Sequence, residues 1–113
     1  MINIFDIFTA YVSWGGVVNE VGSDRKRFVL ILEQTAGGVM AFNITTRYEG
    51  KNEIVRGKYF KIKEWQQAGL SQPSYIDTNK TLTLPLSSLG VNHPVGTLTE
   101  SDAQKFIEFL RNK

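Results

Sequence analysis

The stretch DRKRFVLILEQTAGGVMAFNITTR, residues 24–47, sets three cations against a continuous apolar run, breaks at a glycine pair, then turns apolar again. The run RFVLILE, residues 27–33, has no alternation, as expected of a strand covered on both faces. After QTAGG, the segment VMAFNI, residues 39–44, reads as the return strand, so the pattern predicts a hairpin closed by a glycine-containing loop. Glycine, serine and aspartate precede the cations. Arg25, Lys26 and Arg27 are then either the solvated mouth of a buried strand or part of a phosphate-holding loop.

Outward from the hairpin, further short strands are predicted. IFTAYVSW, residues 7–14, is aromatic and β-branched and stops at a glycine pair. YEGKNEIVRG, residues 48–57, is polar and reads as a loop, and KYFKIK, residues 58–63, as a half-buried strand with lysines on its wet face. SYID (74–77) and TLTLPL (81–86) read as two strands around a DTNK turn, with Pro85 confined to an edge or bulge. A short helix is expected over residues 64–70, where Trp65, Leu70 and the nearby Pro73 read as packing residues. A C-terminal helix is expected after Thr99 as N-cap, with Asp102 completing a capping box. Its apolar face would hold Ala103, Phe106, Ile107 and Leu110, widened by Phe109. The whole predicts one mainly β domain over residues 1–113, a small, strongly bent antiparallel sheet or barrel with α elements.

The totals narrow the chemistry. The chain has 113 residues, 42% of them hydrophobic, which suffices for a core, and a formal charge of +2, which permits an anionic partner without requiring one. No cysteine is present, so disulfides, thiolate metal sites and cysteine nucleophiles are excluded. The opening MINIFDIFTA lacks a basic flank and carries Asp6, so neither a signal peptide nor a membrane span is expected, and a cytoplasmic domain is the plain reading. With His93 the sole histidine, in a loop before Pro94, zinc sites and Ser-His-Asp triads fall away. The glycine pairs lack the strand–glycine–helix setting of a phosphate-binding fingerprint.

Chemistry carried by arginine, hydroxyls and carboxylates remains. RNA brings its own nucleophile, the 2′-hydroxyl beside the scissile phosphate. Using it requires a base, a cation for the phosphorane and a proton for the departing 5′-oxygen. An arginine fork meets the second need without metal or histidine.

In order, these segments resemble the MazF/PemK (Kid-type) family, endoribonuclease toxins of type II toxin–antitoxin systems. FDIFTAYVSW has the form of that family's opening GDIVWVDF strand, and GSDRKRFVLILE that of its GSE…RP loop entering an AVVLS strand. AFNITTR supplies its threonine pair, and YFKIKEWQQAGLSQPSYID is similar to a branch in which a strand leads into W..AGL..PS. The likeness spans roughly residues 4–110. It departs where the loop is shorter between acid and arginine, where Phe28 replaces a proline, and where Tyr75 replaces a second arginine.

The resemblance implies an SH3-like barrel with a short mid-chain helix and a C-terminal helix. It also implies a homodimer whose grooves take single-stranded RNA and are blocked by a cognate antitoxin's tail, with no cofactor and no metal. By the same resemblance Arg27 would stabilise the phosphorane, and Thr45 or Thr46 would hydrogen-bond the phosphate. Asp77 would be the base, with Asp24 the competing base or an orienting partner of Arg27. Arg25, Lys26, Arg47, Tyr75 and Lys80 would contact RNA. The alternative is a barrel that binds RNA or protein without catalysis.

Overall fold

The predicted hairpin is the middle of the molecule. The computed structural model describes residues 2–13, 24–46, 57–89 and 93–112, of which 11–13 and 24–26 are described by backbone alone. Its elements are β1 (Asp6–Ser13), β2 (Asp24–Gln34), β3 (Gly38–Thr45), β4 (Tyr59–Ile62), β5 (Ser74–Pro85), β6 (Gly96–Thr97) and α1 (Glu100–Arg111). They form one six-stranded sheet in the order β4-β5-β3-β2-β1-β6, with every pair antiparallel. Thr35 N donates to Gly38 O at 2.8 Å across the β2–β3 turn. No helix among the described residues is long and apolar enough to cross a membrane.

The apolar run of β2 is covered on both faces, as its lack of alternation requires. Leu30 joins Ile7, Phe42, Ile44 and Ile76 in the larger core, while Val29 and Ile31 join Phe8, Val39 and Ala41 in a second core behind the sheet. The larger core is closed by α1. Phe106, 0% exposed, sits in a ring cluster with Phe5, Phe42, Phe60 and Phe109, its centroid 5.1 Å from that of Phe60. Such edge and tilted contacts add about 1 kcal/mol each to area burial.

Four local expectations are corrected. β2 begins at Asp24 rather than Arg27, because β1 offers partners to the cationic residues too: Asp24 pairs Ser13, Arg25 Val12, Lys26 Tyr11 and Arg27 Ala10. Ladder hydrogen bonds outweigh the low strand propensity of a polar run. The two strands expected around DTNK are one, β5. Its register with β3 jumps from Phe42–Thr81 to Asn43–Asp77, so residues 78–80 form a bulge. Residues 64–70 are hydrogen-bonded turns rather than a helix. Ala68 N reaches Glu64 O, Gly69 N Gln66 O and Leu70 N Trp65 O, offsets too mixed for a regular α-helix. Gly69, at φ 93°, reverses the chain before a second turn can form. Finally, Ile107 is 39% exposed and stands off the core, whereas Ala103, Phe109 and Leu110 pack against it.

The ends of the sheet are brought together by backbone packing rather than by a ladder. Among the described residues β4 and β6 do not pair. The turn after β4 nevertheless presses onto β6, so closely that a Cβ on Gly96 would lie 1.8 Å from Ala68 O. The result is an open, barrel-like sheet. Thr99 caps α1 as expected, accepting from Asp102 N at 3.3 Å. The Asp102 carboxylate turns to the barrel instead, accepting from Lys63 N at 3.3 Å and Glu64 N at 2.8 Å.

Candidate active site

On the sheet face away from α1, period-2 alternation puts Val29, Ile31, Val39, Ala41 and Leu84 at one end, where they form the second core. At the other end the same alternation presents polar residues. Registered pairs join Lys61 to Tyr75 and Tyr75 to Thr45. One step beyond the Phe28–Ile44 pair, Arg27 lies across from Thr45. The next row on that face runs Tyr59, Asp77, Asn43, Val29. Strand spacing makes the Arg27-to-Lys61 row about 14 Å long, and the rows stand about 7 Å apart. Arg27, Thr45, Tyr75, Asp77 and Tyr59 are all half-buried, which limits their freedom without removing them from solvent.

Asp77 is held by several donors. Its Oδ1 accepts from Asn79 N at 2.9 Å and from Asn79 Nδ2 at 2.7 Å, an Asx turn that starts the bulge. The Tyr59 phenol donates to the same carboxylate from β4. Burial first, and then the charge and hydrogen bond of Asp77, push Tyr59 above the usual tyrosine range, so it stays a proton donor at neutral pH. Beside them, Asn43 Oδ1 is buried and accepts no hydrogen bond.

The structure thus brings Arg27, Thr45, Tyr75 and Asp77 onto one surface. Thr46 is exposed, just past the end of β3, and Lys80 is exposed on the bulge. Asp24 lies three residues from Arg27 along β2, about 10 Å at the strand rise. Arg25 and Lys26 are strand rather than loop residues. Arg47 lies outside the described residues. Sequence reasoning missed Tyr59, Lys61 and Asn43. The alternation in KYFKIK does place Tyr59 and Lys61 on one face, but only the pairing of β4 with β5 makes that face part of the site.

Known structures resemble this fold. No protein-family model matches the chain, and no curated relative matches it by sequence. Among solved structures, the Mycobacterium tuberculosis toxin MazF-mt6 superposes with a TM-score of 0.67 at 25% identity, covering 95% of this chain and 93% of that one. A crystal structure of an Mtb toxin superposes at 0.59 with 27% identity, over 76% of this chain and 90% of that one. In both cases the match takes in most of the neighbour, so the likeness is to whole toxins rather than to a shared fragment. With that coverage, the curled antiparallel sheet and its C-terminal helix are similar to those of whole MazF toxins, a likeness that supports a MazF-like toxin family for this chain.

Proposed function

We propose that this chain is the toxin of a toxin–antitoxin pair, a metal-independent, sequence-selective endoribonuclease acting on single-stranded RNA. The observation that carries the reading is the row Arg27–Thr45–Tyr75–Lys61 with Asp77 beside it on the same face. A scissile phosphate over Thr45 lies within reach of the Arg27 fork on one side and the Asp77 carboxylate on the other. Asp77 takes the proton of the 2′-hydroxyl as that oxygen attacks phosphorus. Arg27 and the Thr45 hydroxyl stabilise the charge growing on the non-bridging oxygens. The P–O5′ bond breaks, and the Tyr75 phenol gives the departing 5′-oxygen its proton. The products are a 2′,3′-cyclic phosphate and a 5′-hydroxyl. The reading includes a homodimer and an antitoxin partner, with Arg25, Lys26, Arg47 and Lys80 steering RNA electrostatically.

The test compares cells expressing the wild type, Arg27→Ala and Asp77→Asn. Growth arrest with discrete mRNA breaks ending in 5′-hydroxyls, lost in both variants, is the expected result. Equal harmlessness of all three proteins at matched expression would leave only a non-catalytic barrel.

A further inference from the structure

Beyond Lys61 the sheet ends at β4, and the space between that edge and α1 is an open groove of about 270 Å³. This is near the low end of small-ligand clefts, roughly 300 Å³. Its floor is apolar: Phe60 and Phe109, both half-buried, meet with ring centroids 5.5 Å apart. Its rim is cationic, with Lys61, Lys63 and Lys105 all exposed around it. The carboxylate in the lining adds little opposing field, since Asp102 is 1% exposed and bound to two backbone N–H groups. Aromatic surface framed by cations is the composition that holds single-stranded nucleic acid, with rings for bases and ammonium groups for phosphates. Two groove residues already belong to the candidate site, Lys61 closing the first row and Tyr59 holding Asp77.

We infer that this groove is a flanking-nucleotide subsite: RNA leaving the catalytic row at Lys61 turns over the β4 edge, sets a base against Phe60 and Phe109, and lays its phosphates on Lys63 and Lys105. The inference rests on the ribonuclease reading and extends it to substrate length. Charge complementarity selects a polyanion, and continuity with the row selects RNA over an acidic polypeptide.

The test measures binding of uncleavable, mixed-base 2′-O-methyl RNA of about 5 and about 12 nucleotides, bracketing common single-strand site sizes. The proteins are the wild type and the Lys63→Ala/Lys105→Ala double variant. Both lysines are exposed and outside the catalytic row, and the Asp102 bond to residue 63 uses backbone, so the fold is kept. The wild type is expected to prefer the longer RNA. The double variant is expected to bind it about tenfold more weakly and to lose about 1.4 from the slope of log K against log salt, with the short RNA unchanged. A wild type that binds both lengths equally, or a double variant that keeps the length preference, overturns the subsite while leaving the ribonuclease reading intact. Failure of the wild type to bind either length overturns both. Binding of a glutamate-rich peptide by the wild type, lost in the double variant and unaccompanied by any RNA length preference, overturns the subsite by giving the groove to an acidic polypeptide.

Discussion

Tyr59 and Asp77 face each other across the β4–β5 ladder, and the phenol donates its hydrogen bond to the carboxylate. The pair ties the four-residue edge strand to the bulge in β5, so the position of the proposed base depends on a strand that the sequence marks only by its lysines and aromatics. Asn79 holds the same carboxylate from within the bulge. Asp77 is thus fixed by donors from two elements, as a general base must be before its substrate arrives.

Because the folded state holds the Tyr59 proton more tightly than the unfolded chain, the pair's contribution is present below about pH 10 and is lost as pH rises beyond it. Tyr59→Phe should therefore cost about 1 kcal/mol or less at neutral pH, because solvent screening at this partly exposed pair cuts a bond to a charged acceptor below its buried worth. Urea unfolding at pH 7 and at about pH 11 checks this. The gap between wild type and variant should shrink at the higher pH, and a gap independent of pH would refute the coupling.

The two threonines that the sequence leaves equivalent are separated by the strand end. Thr45 is half-buried in the row across from Tyr75, whereas Thr46 is exposed beyond β3. Thr45→Val keeps the shape and removes the hydroxyl, so RNA cleavage by the proposed ribonuclease should fall about a hundredfold, the low end for loss of one stabilising donor. Thr46→Val should stay within about twofold, a negligible change in barrier. Single-turnover cleavage of one RNA by both variants decides it, and equal losses would remove Thr45 from the site.

The hairpin and the capped helix were legible in the sequence because their signals are local: an apolar run, a glycine pair, a threonine followed by an acid. The bulge was half legible. Asp77, Thr78 and Asn79 carry turn chemistry, but whether a turn separates two strands or swells one depends on β3 lying alongside. The start of β2 was misplaced for the same reason, since Arg25 and Lys26 are held by pairing with β1. Arg27, Thr45 and Asp77 could be named from the family pattern. That Tyr59, Lys61 and Asn43 join them follows from register between strands far apart in sequence, which no local pattern contains.

Asp102 illustrates a local signal put to a non-local use. The acid expected to close the capping box accepts instead from Lys63 N and Glu64 N, tying α1 to the turn after β4. Asp102→Ala leaves two backbone donors without their acceptor and should cost about 3 kcal/mol. Asp102→Asn keeps one acceptor oxygen and should cost about half as much. Chemical unfolding of the two variants gives the comparison, and an Asp102→Asn variant as stable as the wild type beside a destabilised Asp102→Ala would mean that packing volume rather than the paired hydrogen bonds holds the junction.

The contact that curls the sheet has no side chain on one partner, so it is open to a one-atom test. At Gly96 an added Cβ would sit 1.8 Å from Ala68 O and 2.6 Å from its carbonyl carbon, both backbone atoms that cannot rotate aside. Gly96→Ala must push β6 away from the turn or displace that turn from Asp102, and overpacking of this kind costs about 3 kcal/mol. For a domain of this size that lowers Tm by roughly 10 °C or more. Leu86→Ala, which truncates an exposed side chain, serves as the control and should shift Tm by little, as surface changes do. If Gly96→Ala melts with the wild type, the two sheet ends are not in contact and the barrel-like closure is wrong.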